Sequence, residues 1–287
     1  MKIAWINRLV VWLMAFSLAN IAYGQPIMAD KQIGLVSFTF RRDFSTDMPA
    51  TLKKIRELGI VDVEFSNLFG YEAGALRKLL DSHGISCSSF GVSYEELMSN
   101  THTVAENALH LGAKYVRVAS IPRQDGMFAL GDAQKAVTDF NRVGKILKEQ
   151  FGLVFIYHNH GFEFVPYENR TLYDYLMENT EPVYVSFELD ILWAFFPGQN
   201  PVALLEKYGP RYKALHLKDL RKGVVGDLSG KTPKANDVAL GTGQLDIPTI
   251  LKVAKRFGIN HFYIEDESDR IDKQVPQSIA YLKQLVY

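Results

Sequence analysis

Leu52-Lys53-Lys54-Ile55-Arg56-Glu57-Leu58-Gly59-Ile60-Val61-Asp62-Val63-Glu64-Phe65-Ser66 holds one full period of the pattern from which this chain is built. Leu52, Ile55 and Leu58 recur at the spacing of one helical face, while Lys53, Lys54 and Arg56 fall outside it. Gly59 is the residue type that closes a helix in the left-handed conformation, and residues 61–66 then read as a strand. The unit of helix, Gly, apolar residue and strand returns at His83-Gly84-Ile85 and Phe257-Gly258-Ile259, with Gly112 and Gly152 in similar helix-ending places. Before Gly152, the residues Val137, Phe140, Val143, Ile146 and Leu147 form a second apolar stripe. Strand candidates are 33–40, 61–66, 86–92, 115–120, 154–160, 184–190, 212–219 and 261–267. Strictly alternating strands and helices imply a parallel sheet. Eight such units favour closure into one α/β domain, a (βα)8 TIM barrel, over an open doubly wound sheet.

The composition agrees. In 287 residues, 32 Lys and Arg balance 32 Asp and Glu, and 47% of the chain is hydrophobic. That hydrophobicity opposes disorder, and the absent basic surplus opposes nucleic acid as a partner. The single cysteine, Cys87, excludes an internal disulfide and reads as a small buried strand residue. The first 24 residues follow a different pattern. Lys2 and Arg8 precede an uncharged run over 9–22, and Ala22-Tyr23-Gly24 sets small residues where a signal peptidase cuts. The run is short against the ~20 residues of a membrane span. Residues 1–24 are therefore expected to be a cleaved leader and 25–287 a periplasmic or secreted barrel with no stable membrane anchor. The irregular stretch 221–246, rich in glycine, is expected to be a lid or rim over a site.

Active sites of such barrels collect at the C-terminal ends of the strands. Strand five ends Tyr157-His158-Asn159-His160, strand six Glu188-Leu189-Asp190, strand seven His216-Leu217-Lys218-Asp219 and strand eight Glu265-Asp266-Glu267, while strand two contributes Glu64. Alternation sets His158 with His160, Glu188 with Asp190, His216 with Lys218, and Glu265 with Glu267, each pair on one face. Imidazoles and carboxylates converging from four strands suit a divalent cation such as Mn, Co, Zn or Mg; without one, the buried carboxylates would repel one another. The remaining histidines, His83, His102, His110 and His261, read as hydrogen-bonded core residues. Gly241-Thr242-Gly243 follows no strand and lacks a third glycine, so no nucleotide cofactor is expected.

These segments carry a resemblance. Tyr157-His158-Asn159-His160-Gly161-Phe162-Glu163-Phe164 resembles the YHNHxxEF signature of the xylose isomerase-like TIM barrels, the sugar phosphate isomerase/epimerase group. Glu188-Leu189-Asp190-Ile191-Leu192-Trp193-Ala194, His216-Leu217-Lys218-Asp219, Gly241-Thr242-Gly243-Gln244-Leu245-Asp246 and Ile264-Glu265-Asp266-Glu267 are similar to further segments of that group. The resemblance implies one divalent ion held by Asp190, His216 and Glu265, with His158 or Glu163 as the strand-five ligand. His158 stands where keto-sugar epimerases of the group carry Glu, which weakens a strict two-Glu mechanism.

The implied chemistry is removal of a carbon-bound proton from a hydroxy-carbonyl sugar, with the cation as Lewis acid. His160 or Glu265 would act as base, with Glu163 third, and Lys218 would donate to the developing oxyanion. Glu64, Glu188, Trp193, Asp219 and Glu267 are candidate substrate contacts, Glu188 and Glu267 alternatively lying behind the ligands. The aromatics Phe38, Phe40, Phe65, Phe90, Tyr157, Phe195 and Phe196 are either sugar-stacking surfaces or barrel packing. Reprotonation would give an isomerase or epimerase, and loss of a β-substituent would give a lyase or dehydratase of keto-glycoside or inosose type. Export and the lack of a phosphate motif favour an unphosphorylated carbohydrate. A non-catalytic sugar-binding protein is the competing reading from another class. An endonuclease IV-like phosphodiesterase would need more histidine ligands than the strand ends supply.

Overall fold

Eight short strands, each of four to seven residues, line the middle of the molecule: β1 (Ile33–Val36), β2 (Asp62–Phe65), β3 (Ser86–Val92), β4 (Tyr115–Val118), β5 (Val154–His158), β6 (Val185–Asp190), β7 (Tyr212–Leu217) and β8 (His261–Ile264). In this computed structural model the described residues are 26–29, 32–123 and 126–286, so the leader expected at 1–24 lies outside them. Every strand pairs in parallel with its sequence neighbours, and β1 closes onto β8 through Ile33↔Phe262, Gly34↔Tyr263 and Leu35↔Ile264. The principal helices are α1 (Met48–Glu57), α2 (Ala73–His83), α3 (Thr101–Leu111), α4 (Leu130–Phe151), α5 (Leu172–Asn179), α6 (Pro201–Tyr208), α7 (Ile247–Arg256) and α8 (Ile271–Gln284). One follows each strand, so the chain is a single closed (βα)8 TIM barrel.

The helix-ending glycines act as the period demands. Gly84 and Gly152 adopt φ of 63° and 70°, closing α2 and α4 in a region that L side chains rarely enter. Most strands end earlier than their polar ends suggest. β1 stops at Val36, and Ser37–Phe40 turns into a 3₁₀ helix. β7 stops at Leu217, and Asp219–Leu220 instead pairs antiparallel with Asp237–Val238. Past the barrel mouth no parallel neighbour remains to take the backbone hydrogen bonds, so the chain satisfies them in turns.

The main apolar core lies between barrel and helices. Inside the barrel the only buried hydrophobic cluster among the described residues is Val36, Ala214 and Tyr263. Tyr263 fits because Gly34 faces it, a Cβ there coming within 2.7 Å of the ring. Toward the mouth the interior is largely polar, with Glu64, Arg117, His158, Glu188 and His216 buried there, an arrangement that positions a site. His102 and His110 lie exposed on α3 and His83 half-exposed at the end of α2, not in the core as expected, because they fall on the wet faces of amphipathic helices. Cys87 is buried.

Candidate metal centre

The strand ends surround a cavity of about 630 Å³ at the C-terminal mouth of the barrel. His158, His216 and Glu265 line it, Asp190 lies buried behind them, and each of the four offers one ligand atom, all within 4.8 Å of one another. His158 ends β5, Asp190 ends β6, His216 is next to last in β7, and Glu265 directly follows β8. His158 Nε2 lies 3.9 Å from Asp190 Oδ2, and His216 Nδ1 lies 3.1 Å from Glu265 Oε2. Asp190 is fixed from behind. Its Oδ1 accepts from the Trp193 N–H at 2.8 Å, capping the short helix Ile191–Phe195, and its own N–H donates to Asn159 Oδ1. Its other oxygen, Oδ2, is buried with no hydrogen-bond partner.

These residues fit a divalent cation. Glu64, Glu188, Asp190, Glu265, Glu267 and Asp237 crowd around two permanent cations, Arg117 and Lys218. Burial pushes the Asp190 carboxyl up to about 7 and Glu188 well above the carboxylate range, the cost of holding this much acid out of water. Burial would also raise Glu265, but the Lys218 ammonium and His216 hold it far below its ordinary value. Mixed imidazole and carboxylate donors, one with an unanswered oxygen, suit Zn, Mn or Co, and Mg less well. A second acidic group, Glu64, Glu188 and His216, sits deeper. There the positive charge is already supplied by Arg117, whose Nε is 2.6 Å from Glu64 Oε1.

His160 also faces the cavity, its Nδ1 buried and without a partner. Its ring lies between Trp193 and Phe162, and burial lowers its pKa to about 4, leaving it neutral. Trp193, Phe38 and Glu267 line the cavity as well. Other expected site residues do not reach it. The Glu163 carboxylate turns back beneath the chain, where it accepts from Tyr157 Oη at 2.5 Å and from the His160 N–H. Its place is behind the loop rather than at substrate, because Phe162–Phe164 forms a 3₁₀ turn. Lys218 is buried under the Trp193 ring, 2.8 Å from Glu267 and 3.4 Å from Glu265, where it braces two carboxylates. Asp219 accepts from the N–H groups of Leu220, Gly241, Gly243 and Leu245, pinning the loop after β7. Glu64 and Glu188, fully buried, lie under the centre and not in the cavity wall. Phe40, Phe65, Phe90 and Tyr157 are core packing.

The loop expected as lid or rim is a rim. Gly230, Lys231, Thr232, Lys234 and Asp237 line the cavity, and Gly230 packs on the His160 carbonyl. Asp237 had no local signal, being one of three aspartates, with Asp227 and Asp246, in the irregular loop. Arg117 did have one: a single charge in the buried strand Tyr115-Val116-Arg117-Val118 needs a partner.

Residues 52–285 match the family model described as xylose isomerase-like TIM barrel. An inosose dehydratase from Geobacillus kaustophilus is 30% identical over 195 residues, spanning 61% of this chain and 62% of that protein, less than two thirds of the relative's length. A sugar phosphate isomerase/epimerase structure from Parabacteroides distasonis superposes with a TM-score of 0.73 at 27% identity, covering 90% of this chain and 95% of that one. A xylose isomerase-like TIM barrel protein from Mycobacterium smegmatis, in complex with magnesium, gives a TM-score of 0.68 at 14% identity over 88% of this chain and 96% of that one, a likeness of fold. With its closed eightfold barrel and a family match running from the first principal helix to the last, the chain belongs to the xylose isomerase-like TIM barrel family.

Proposed function

We propose that the chain is a divalent-metal-dependent enzyme that removes a proton beside the carbonyl of a sugar or keto-sugar, with isomerisation or epimerisation as the outcome. One observation carries this reading: His158, Asp190, His216 and Glu265 converge beside a cavity that the His160 ring also lines. A divalent cation, when bound, supplies Lewis-acid polarisation of a carbonyl oxygen. The His160 ring accepts the carbon-bound proton, kept in place by Trp193 and Phe162. Trp193 and Phe38 offer apolar surface to the C–H face of a sugar, and Ser66, Asn67 and Thr232 offer polar groups to its hydroxyls.

A dehydratase is the second reading. The similarity to an inosose dehydratase supports it, and so does Asp237, whose carboxyl burial pushes up to about 6 and which could return a proton to a departing oxygen. Chelator-stripped protein, reloaded with Zn, Mn, Co or Mg and incubated with inosose and keto-sugars in D₂O, tests both readings. The expected result is metal-dependent deuterium uptake beside the carbonyl, lost in His160→Ala while metal binding persists. Loss of water, seen by mass spectrometry, would assign the dehydratase. Absence of both bound metal and exchange would overturn the proposal.

A further inference from the structure

We propose that Lys231 and Lys234, carried on a strap clamped across the barrel mouth, select a carbohydrate that bears a carboxylate group away from its reacting carbonyl. The inference rests on the reading of the cavity as a carbohydrate site and adds the class of substrate.

The strap runs from Gly230 to Asp237 and is held at both ends. Gly230 has a φ of 64°, and a Cβ there would come within 2.7 Å of the His160 carbonyl oxygen, so only bare backbone lies this close. Just before it, a Cβ at Gly226 would strike the Phe196 carbonyl. At the far end Asp237 is buried. Its Oδ2 accepts from the Glu267 N–H at 2.9 Å, and its carbonyl accepts from Gln274 Nε2 at 3.2 Å. Within the strap, Asn236 Nδ2 donates to Thr232 Oγ1 at 2.8 Å. The strap therefore crosses from the loop after β5 to the loop after β8, and Lys231 and Lys234 line the cavity between the clamps. No carboxylate of the described residues pairs with either ammonium group. The acids of the same wall are already answered, since Glu267 and Asp237 lie 2.8 and 3.9 Å from Lys218 Nζ.

A phosphate would need different partners. Barrels of this kind hold phosphate on backbone N–H groups of the loops after strands seven and eight. After β7 the N–H groups of Gly241, Gly243 and Leu245 all bond Asp219, and the Thr249 N–H in the first turn of α7 bonds Asp246. After β8 the N–H groups of Asp266, Glu267, Ser268 and Arg270 bond Thr39, Asp237, Asp266 and Ser268. The chain's own oxygens occupy the places that phosphate oxygens would take. Two ammonium groups remain to meet an anion, each a point charge on a flexible stem, and a singly charged carboxylate needs no backbone cradle.

Calorimetric titration of zinc-loaded and chelator-stripped protein with glucuronate, glucose and glucose 6-phosphate, which differ only at C6, tests the proposal apart from turnover. Glucuronate is expected to bind ~10-fold more tightly than either of the others, the worth of one hydrogen bond to a charged group. That preference should shrink as salt rises from ~0.05 to ~0.5 M. In the double variant Lys231→Met, Lys234→Met the ratio of glucuronate to glucose affinity should fall to near unity. Gly230→Ala keeps both lysines and should lower the ratio as well, because its methyl group lifts the strap from His160. A ratio that survives the double variant would place the carboxylate on the cation and overturn the proposal. So would a wild type that favours glucose 6-phosphate or binds none of the three. The lysine variants decide it even if Gly230→Ala fails to fold. A lysine-dependent preference in protein that neither binds zinc nor exchanges deuterium would defeat the metal reading and leave the carboxylate subsite standing.

Discussion

At Asp190 the two carboxylate oxygens have separate duties. Oδ1 caps the helix that begins at Ile191, and Oδ2 faces the centre with no partner. Asp190→Asn preserves the cap, since Asn serves that position as well as Asp, yet removes the charge. The fold should survive with zinc affinity reduced more than the ~10–100-fold expected for an outer partner; calorimetric titration checks this, and affinity equal to wild type would remove Asp190 from the ligand set. Residues of this kind are legible in sequence because strand alternation decides which face they occupy. Glu163 was not legible in the same way: three residues from His160, it points elsewhere because the chain leaves the strand and turns between them.

Among elements, α5 shows how a helix is tied into the wall beside the site. Thr171 Oγ accepts from the Asp174 N–H, and Asp174 Oδ2 accepts from the Thr171 N–H, a reciprocal cap. The other oxygen of Asp174 takes Lys207 Nζ at 2.8 Å and Tyr208 Oη at 2.7 Å from α6. Burial alone would raise this carboxyl, but the bonds from Lys207, Tyr208 and Thr171 outweigh it and bring the pKa down to about 2. A depressed carboxylate contributes stability above its ordinary pKa of ~4, and that contribution is lost as pH falls through the folded value. Asp174→Asn should therefore cost about 1–2 kcal/mol at neutral pH and progressively less from pH ~4 to pH ~2. Denaturant melts across that range check it; a constant difference between variant and wild type would contradict the linkage. The loop after β7 follows a comparable logic, its backbone N–H groups gathered by the single carboxylate of Asp219.

For the whole molecule, the barrel interior near its mouth is a reservoir of negative charge that the fold holds without enough cations of its own. A bound divalent ion should relieve it. At a hundredfold excess over Kd, binding to the folded state alone adds ~2.7 kcal/mol, which for a domain of this size raises Tm by about 5–10 °C. Differential scanning calorimetry of stripped and zinc-loaded protein checks this; equal Tm values would argue against an ion at the centre. The sequence by itself determined the eightfold repeat and the strand ends at which chemistry collects. Both are local matters: helix period and helix-ending glycine lie within a single unit, and alternation tells which strand residues face inward. The tertiary structure alone decided which inward groups share a centre. Arg117 meets Glu64 and Glu188 across strands far apart in the chain, through a lane left open by Gly91, and Asp237 reaches the cavity from a loop tied down by Asp219. Such meetings depend on the register and closure of the barrel, which no short stretch of sequence contains.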